Sequence, residues 1–316
     1  MKTAVQVTSG SPQEITTGDH KGAGDTITTK PGTPPTIHVM TWNIRRLIPA
    51  LMAREHDRWE TRAPRVSAAI VDTAPTILAI QESMPEQTAF LRDVLGSRYQ
   101  FVGQGRGRDN TGEATPIFFD SKRLELITWE QRALSNRPGK PGSVSWGNIF
   151  PRAFVAATVR DRHTGTRFLI INTHLDHLSS RSRIRSAGAI GEFIQKQTLP
   201  AMVLGDFNAT QGSKTHGAFT RSGALSDIWS VADQHLTQAW GTFPNYKDPT
   251  PGGRRIDWIL STSDWQVHGA GINARQYAGG WASDHLSVHA LMIPPGNTGN
   301  DALNDRQFHP PTQGLQ

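Results

Sequence analysis

Short apolar, strand-like runs of this sequence are bordered by side chains that carry an acid, an amide or an imidazole. The set comprises Asn43, Gln81, Glu82, His174, Asp176, His177, Asp206, Asn208, Asp257, Asp284 and His285. A strand end holds the backbone still while its side chain clears the core, which suits a catalytic group. A single acid or amide after a strand is usually turn chemistry. The recurrence of such residues at five separate strand ends favours a shared active site.

The sequence contains no cysteine among its 316 residues. This absence excludes disulfides, a cysteine nucleophile and a thiolate metal site. Any metal must therefore be bound by carboxylate, amide or imidazole groups. The compartment stays open, because a protein without cysteine tolerates either redox environment.

Alternating apolar and polar residues dominate the middle of the chain. They predict strands at 37–45, 76–81, 99–103, 116–120, 124–129, 153–160, 168–174, 201–206, 256–261, 265–269 and 286–293. Helical periodicity is clearest over 58–71, 85–95 and 181–197, and Pro85 suits the first turn of a helix. Many strands with a few interspersed helices predict an α+β sandwich of sheets covered by helices. No linker or internal repeat divides this region, so we predict one domain over residues 37–293.

Two terminal segments differ in composition from this domain. Residues 1–36 and 294–316 are rich in Thr, Gly, Ser and Pro and poor in large apolar residues, so we expect disordered tails. The net charge is +6, of which the first tail carries zero and the second −1, leaving +7 on the domain. This mild basicity favours an anionic partner such as a phosphorylated compound. It lacks the clustered stripes of a dedicated DNA-binding domain.

Membrane and export signals are also missing from the pattern. No apolar run approaches the roughly 18 residues of a transmembrane helix. The N-terminal residues have a lysine but no apolar segment of the kind that a signal peptide needs. We therefore expect a cytoplasmic, monomeric protein without a membrane span, and we leave secretion open.

Six short motifs occur in order along the predicted domain: TWNIR (41–45), LAIQE (78–82), NTHLDH (172–177), GDFNA (205–209), RIDWI (255–259) and SDH (283–285). Together they resemble the endonuclease/exonuclease/phosphatase superfamily, which includes pancreatic-type DNases, abasic-site endonucleases, inositol polyphosphate 5-phosphatases, neutral sphingomyelinases and deadenylases. The resemblance implies a four-layered α/β/β/α sandwich of the DNase I-like type. Its two mixed or antiparallel sheets are flanked by helices, with the active site at one end. The segment DRWETR, with Trp59 after the first motif, resembles the corresponding segment of a compact bacterial branch of the superfamily, whose members mostly have undefined substrates.

The resemblance implies a divalent metal site, with Glu82 as the principal ligand and Asn43 beside it. Asp284 would complete the inner or outer coordination shell. The chemistry of these side chains agrees, because carboxylate and amide oxygens suit Mg²⁺ or Mn²⁺ rather than zinc. We therefore predict Mg²⁺ as the cofactor, with Mn²⁺ as an alternative, and leave the number of ions open.

The resemblance also implies catalytic roles. His285 is expected to pair with Asp257, whose carboxylate fixes the tautomer and supports a positive imidazolium. Asp206 is expected to orient and deprotonate a water molecule, while Asn208 and His174 donate hydrogen bonds to phosphoryl oxygens. The negative charge that develops on the phosphoryl group would then be met by a metal ion, an imidazolium and an amide.

Four residues that flank these groups are candidate substrate contacts, each with a structural alternative. Asp176 and His177 either touch the substrate or only cap the loop that follows their strand. Trp146 and Arg152 could form one wall of a substrate pocket, although core packing explains Trp146 equally well.

A glycine-rich segment, 103–115, carries Arg106 and Arg108. It resembles a mobile flap whose arginines contact an anion, and a plain solvated turn is the default alternative. Glu113 of this segment matches a word found in bacterial members of the superfamily, but its chemistry alone assigns it no role.

Three functions are compatible with these residues. The favoured one is a divalent-metal-dependent phosphoesterase, in which an activated water attacks a phosphomonoester or phosphodiester of a small molecule or nucleotide. The second is a non-specific nuclease acting on DNA or RNA, although we find no long basic insertion that would open a duplex. The third is an inactive domain that binds a phosphorylated ligand. The presence of both Glu82 and His285 argues against that third function.

Overall fold

The computed structural model describes residues 36–296, with thirteen strands and five α-helices in that range. The strands are β1 (Ile37–Asn43), β2 (Ile77–Gln81), β3 (Tyr99–Val102), β4 (Ile117–Asp120), β5 (Leu124–Ala133), β6 (Ala153–Asp161), β7 (Arg167–His174), β8 (Ala201–Asp206), β9 (Ser226–Asp227), β10 (Gln234–His235), β11 (Asp257–Ser261), β12 (Gln266–Asn273) and β13 (Ser287–Ile293). The helices are α1 (Trp59–Thr73), α2 (Pro85–Leu95), α3 (Ser180–Gln197), α4 (Lys214–Thr220) and α5 (Ile228–Val231).

The strands form two mixed sheets. The seven-stranded sheet has the order β10-β12-β13-β1-β2-β4-β3, and the six-stranded sheet has the order β5-β6-β7-β8-β11-β9. Three neighbouring pairs are parallel, β1 with β2, β7 with β8 and β10 with β12, and the others are antiparallel. This arrangement confirms the predicted α+β class with two mixed sheets.

Three apolar clusters show the four layers. The central cluster joins the inner faces of the two sheets, for example Ile77 of β2 and Ile170 of β7. A second cluster packs α3, through Ile190, against the outer face of the six-stranded sheet. The third packs α1, through Val66 and Ile70, against the outer face of the seven-stranded sheet. The layers are therefore helix, sheet, sheet and helix, as the motifs implied.

Strand β1 shows how the sequence produces these layers. All seven of its residues are buried. Ile37 and Val39 join the cluster between the sheets, whereas Met40 and Trp42 join the cluster under α1. Because side chains alternate across a strand, a strand covered on both faces needs apolar residues at both parities. The run IHVMTW meets that need with only His38 and Thr41 as polar members.

The strand register brings the motif residues to one edge of the sandwich. In the seven-stranded sheet Asn43 is opposite Gln81. In the six-stranded sheet Asp206 has His174 on one side and Asp257 on the other. Gly205 permits this close pairing, because its φ is 152° and a Cβ there would lie 1.9 Å from the carbonyl oxygen of Thr173.

The elements predicted from periodicity are present, with differences at their ends. Strands β5 and β12 continue beyond the predicted 124–129 and 265–269, because a bulge in each shifts the alternation that marks a strand. The short elements β9, β10, α4 and α5 were not predicted, since two to seven residues carry too little periodicity. The predicted tails lie outside the described residues, apart from Thr36 and 294–296. Among the helices of residues 36–296, none is both long and apolar enough to cross a membrane.

Candidate active site

A carboxylate oxygen of Asp206 is the meeting point of the polar cluster. Its Oδ2 accepts a hydrogen bond of 3.0 Å from the amide of Asn43, which belongs to the other sheet. The Nε2 atom of His174 lies 3.6 Å from the same oxygen, and the Nε2 atom of His285 lies 3.8 Å from it. Asp206 is 1 % exposed, so this oxygen faces a pocket formed by three polar side chains rather than bulk water.

His285 forms the predicted pair with Asp257. Its Nδ1 atom lies 3.0 Å and 3.2 Å from the two oxygens of that carboxylate, and the pair is buried. Burial would lower the pKa of His285, but the charge and hydrogen bond of Asp257, with further contributions from Asp206 and Asp284, raise it to about 10. The imidazole is therefore positively charged at neutral pH, with its Nε2 atom directed toward Asp206.

The environment of Asp206 favours proton uptake. Burial raises the pKa of its carboxyl group, the neighbouring Asp257 adds to the rise, and His174 and His285 oppose it. The other oxygen of Asp206 accepts a hydrogen bond of 2.8 Å from the backbone N–H of Asn208. Because a base works best when its pKa lies nearer the working pH, this carboxylate is suited to take a proton from water.

Asn208 lies beside this base but is partly committed elsewhere. Its side-chain amide donates to the carbonyl oxygen of Leu175 at 3.0 Å, and its φ is 49°. Asparagine tolerates this left-handed conformation better than most residues. Asn208 thus holds the loops after β7 and β8 together, with one amide hydrogen still available to a ligand.

Glu82 and Asn43 lie side by side at the adjacent ends of β2 and β1. Glu82 has a φ of 62°, which turns its side chain toward β1. One carboxylate oxygen accepts from the Asn43 amide at 3.0 Å and the other from the backbone N–H of Arg46 at 3.0 Å. The Asn43 amide oxygen accepts from the backbone N–H of Arg45. The Asn43 side chain therefore directs its amide NH₂ group toward Glu82 and Asp206 and its amide oxygen toward the loop after β1.

Asp284 contributes a second buried acid at this edge. Its oxygens lie 3.2 Å from the hydroxyl of Ser283 and 3.7 Å from the guanidinium of Arg45. Burial raises the pKa of Asp284; His285 opposes the rise and the negative charge of Glu82 adds to it. Two carboxylates that repel each other in a buried setting favour the binding of a cation.

The donor set fits a hard divalent cation. Glu82 and Asp284 supply carboxylate oxygens, and Asn43 can add an oxygen if its amide turns over. A separate trio, Asp206, Asp257 and His285, has ligand atoms within 4.8 Å of one another. In that trio the Nδ1 atom of His285 is already held by Asp257, so we favour the acid–histidine interpretation there and the oxygen set for the metal.

The buried Arg152 and the half-buried Arg106 both act on His174. Arg106 lies 2.7 Å from Glu113, whose carboxylate lies 3.5 Å from the Nδ1 atom of His174. Arg152 is 2 % exposed, and two of its guanidinium nitrogens have no hydrogen-bond partner among the described residues. Burial and the charges of Arg152 and Arg106 lower the pKa of His174 to about 3, although Asp206 and Glu82 oppose the shift. His174 is therefore neutral at physiological pH and can donate one hydrogen bond to a phosphoryl oxygen.

The loop after β7 is held by Asp176. One of its oxygens accepts from the backbone N–H groups of Leu178 and Ser179, and the other lies 3.5 Å from Arg152. These contacts give Asp176 the loop-capping position that was the alternative to substrate contact. His177 is exposed, and its Nδ1 atom lies 3.0 Å from Arg152.

Two of the candidate substrate contacts lie away from the Asp206 cluster. Arg108 is exposed on the outer side of segment 103–115 and packs against Gly142, whereas Arg106 points inward. Trp146 packs at the edge of the cluster under α3, and its indole N–H donates to Asn136 at 2.6 Å. The segment itself is tied down by backbone hydrogen bonds, including Arg106 N–H to Glu113 O at 2.8 Å.

Sequence reasoning missed several residues that shape the site. Arg62 of α1 is fully buried and donates to the carbonyl oxygens of Ile44 and Arg45, which fixes the loop after β1. A signal was present, since Arg62 falls on the apolar stripe of α1 formed by Trp59, Val66, Ala69 and Ile70. Phe243 was also missed; it is 47 % exposed, and its ring lies 4.7 Å from that of His285.

Two stacked sheets with an acid–histidine cluster at one end define the class of DNase I-like proteins. Residues 40–285 match the Endonuclease/Exonuclease/phosphatase family, and the chain belongs to this family. Members of the family are hydrolases that act on phosphoester bonds.

Known relatives support the assignment. A mannosyl-6-phosphatase from Bacteroides thetaiotaomicron superposes with a TM-score of 0.77 at 26% identity, covering 81% of this chain and 99% of its own. A family protein from Bacteroides vulgatus gives a TM-score of 0.76 at 28% identity, covering 82% and 99%. Human nocturnin is 26% identical over 221 residues, which are 63% of this chain and 49% of nocturnin. The chain thus spans about half the length of that curated relative.

Proposed function

We propose that this protein is a divalent-metal-dependent phosphoesterase that hydrolyses its substrate by in-line attack of water. The single observation that carries the proposal is the arrangement around the Asp206 Oδ2 atom, where Asn43, His174 and the His285–Asp257 pair converge. An acid, a neutral imidazole and an imidazolium around one small space match the needs of a phosphoryl group and its attacking water.

The roles follow from the protonation states. Asp206, with its raised pKa, takes the proton of the attacking water. His285, positive and held by Asp257, offsets the charge that grows on the phosphoryl oxygens, and neutral His174 donates to one of them. Backbone and side-chain bonds of Asn208 hold Asp206 in place.

Glu82 and Asp284, with Asn43 beside them, are the residues that would hold the metal ion. A bound Mg²⁺ or Mn²⁺ would neutralise phosphoryl charge and orient the ester. The fit rests on oxygen donors from two strand ends and on the negative charges of the buried Asp284 and the half-buried Glu82, which a cation would offset.

The substrate class is a phosphomonoester or phosphodiester of a small molecule or nucleotide. The similarity to a mannosyl-6-phosphatase, 99% of whose chain is covered, supports a monoester. Nuclease activity is the alternative, and hydrolysis of nucleic acid would favour it. An inactive ligand-binding domain is disfavoured, because the acid–histidine pair and the oxygen donors are all present.

The test measures hydrolysis of an aryl phosphomonoester, a bis-aryl phosphodiester and plasmid DNA, each with Mg²⁺ and with EDTA. We expect Mg²⁺-dependent release of product from at least one aryl ester, lost with EDTA and in His285→Ala. His268→Ala is the matched control, because His268 also pairs with a carboxylate, Asp233, but lies at the surface. Activity that survives EDTA or His285→Ala would refute the mechanism, and no activity on any substrate would refute the function.

A further inference from the structure

A groove separate from the catalytic cluster runs along the exposed side of α3. The α3 groove has a volume of about 370 Å³ and is lined by Arg132, Trp146, Phe154, Arg185, Gly188 and Lys196, among others. None of its lining residues is Asp206, Asp257, Asn43 or His285. Its size lies in the range of pockets that bind small ligands, roughly 300–1,000 Å³.

The charge of the α3 groove favours an anion. Arg132, Arg185 and Lys196 line it against one acid, Glu192. Arg132 is paired with Glu130. Among the residues that the structure describes, Arg185 and Lys196 form no salt bridge, so the lining carries more positive than negative charge. An anionic ligand would supply the missing partner.

The start of α3 adds to this positive potential. Arg181, Arg183 and Arg185 lie within its first six residues, and its first turn contains no acid. The macrodipole makes a helix N-terminus positive, so cations there are disfavoured by a few tenths of a kcal/mol each, roughly. Of these three arginines only Arg185 lines the α3 groove, so only its charge would be offset directly by an anion bound there.

The walls of the α3 groove suit a flat ring. Trp146 has a left-handed backbone conformation, with a φ of 60°. Its indole N–H donates a hydrogen bond to Asn136, and its carbonyl oxygen accepts one from the Ser179 hydroxyl. Its polar edge is thus satisfied, and its ring remains available for apolar contact. The guanidinium of Arg132 lies 4.8 Å from the ring of Phe193, so a planar, cationic group also lines the groove.

Gly188 leaves part of the α3 groove free of a side chain. A glycine within a helix costs roughly 0.5–1 kcal/mol relative to alanine. A Cβ on Gly188 would meet nothing within 4 Å, so no contact inside the protein requires a glycine here. The residue lines the α3 groove, and a side chain in its place would enter the cavity.

We propose that the α3 groove binds a nucleoside phosphate, with its phosphate at Arg185 and its base against Trp146. Arg185 and Lys196 are eleven positions apart in α3, which at 1.5 Å per residue is about 16 Å and accommodates a mononucleotide. The nucleoside phosphate is either a free nucleotide or the end of a nucleic acid strand. The inference goes beyond the proposed hydrolysis and does not depend on it.

The experiment measures binding of adenosine 5′-monophosphate by calorimetry in EDTA, so that no hydrolysis occurs. Gly188→Leu and Arg185→Glu are expected to weaken Kd at least tenfold. Gly191→Leu and Arg181→Glu are matched controls, because Gly191 also has open space around it and Arg181 lies one turn away, and neither lines the groove. Both controls should leave Kd within twofold of wild type.

Binding at the catalytic cluster is distinguished by His285→Ala, which should not change Kd for the groove. No binding of the nucleotide, binding lost only in His285→Ala, or binding unaffected by both groove variants would overturn the proposal. Gly188→Leu should raise Tm, since leucine is the better helix former; if it does not fold, Arg185→Glu against Arg181→Glu decides. A five-nucleotide single strand that binds as tightly as the mononucleotide assigns the site to strand ends, and weaker binding assigns it to free nucleotides.

The same proteins are assayed for hydrolysis of the aryl phosphoester with Mg²⁺. Gly188→Leu should retain wild-type kcat, because its residue touches none of the catalytic groups. A chain that binds the nucleotide but hydrolyses nothing would refute the proposed function and leave the groove intact. The reverse result would refute the groove alone.

Discussion

Acid should destabilise this protein through a histidine pair that plays no part in the active site. His38 of β1 and His289 of β13 lie under α1, with 3.0 Å between His38 Nε2 and His289 Nδ1. The pair is buried, and His289 is fully so. Burial lowers the pKa of His38 from 6.5 to about 4, and burial together with the neighbouring His38 lowers that of His289 as well.

The direction of the pH effect on stability follows from these lowered pKa values. Because the folded protein binds the proton more weakly than the unfolded chain, the stability contributed by His38 is complete above pH 6.5 and is lost as pH falls toward 4. At about 1.4 kcal/mol per pKa unit, the loss between pH 7.5 and pH 5 is about 2 kcal/mol for His38 alone. The lowered pKa of His174 likewise destabilises the fold as pH falls. The raised pKa of His285 has the opposite effect: its stabilisation is complete below pH 6.5 and is lost as pH rises toward 10.

A comparison with His38→Gln isolates the effect, because the other histidines are common to both proteins. Glutamine can donate from the position of Nε2 but does not titrate. Urea unfolding followed by tryptophan fluorescence gives the free energy of unfolding at both pH values. The wild type should lose about 2 kcal/mol more than the variant on acidification. His268→Gln, at an exposed position, is the control. A difference below about 0.5 kcal/mol would refute the reasoning, since the extrapolation of urea unfolding data to water carries an uncertainty of about that size.

Three further predictions concern the site and the sheet beneath it. Asp206→Asn should lower kcat by ~10²–10⁴ without lowering Tm, because an amide of the same shape cannot accept the proton; a variant that retains more than about a tenth of kcat excludes Asp206 as the base. Glu82→Gln should raise the Mg²⁺ concentration for half-maximal activity at least about tenfold, and an unchanged metal titration would remove Glu82 from the metal site. Gly205→Ala should destabilise the fold by more than about 2 kcal/mol in urea unfolding, because its Cβ would overlap the carbonyl oxygen of Thr173. Gly223 also has a positive φ, but no atom lies within 4 Å of the position of its Cβ. Gly223→Ala therefore separates the effect of steric overlap from the effect of positive φ alone.

The convergence of the motif residues could be predicted because strand ends at one edge of a sheet are neighbours. Asn43, His174 and Asp206 follow recognisable apolar runs, and these residues meet in the structure. The sequence could not give the register that places Asp257 opposite Asp206, because register depends on packing across the whole sheet.

Side-chain direction in loops was the harder problem. Arg106 and Arg108 are equivalent in pattern, yet only Arg106 points inward, since the turn geometry of segment 103–115 decides the matter. The position of Trp146 depends on its left-handed backbone conformation, which the hydrophobic periodicity of the sequence does not predict. The buried Arg62 was hidden because charged residues on helices are usually solvated.

The bond from Asn43 to Asp206 has a consequence for how the domain can be altered. Asn43 belongs to the seven-stranded sheet and Asp206 to the six-stranded sheet, and the two side chains meet at 3.0 Å. Gln81 and Asn172 repeat this link deeper inside, at 2.8 Å. Either sheet, produced alone, would contain only some of the candidate active-site residues, and its inner apolar face would be exposed to water. The smallest working unit is thus the complete pair of sheets, and insertions are best tolerated in the loops remote from the edge where the two halves join.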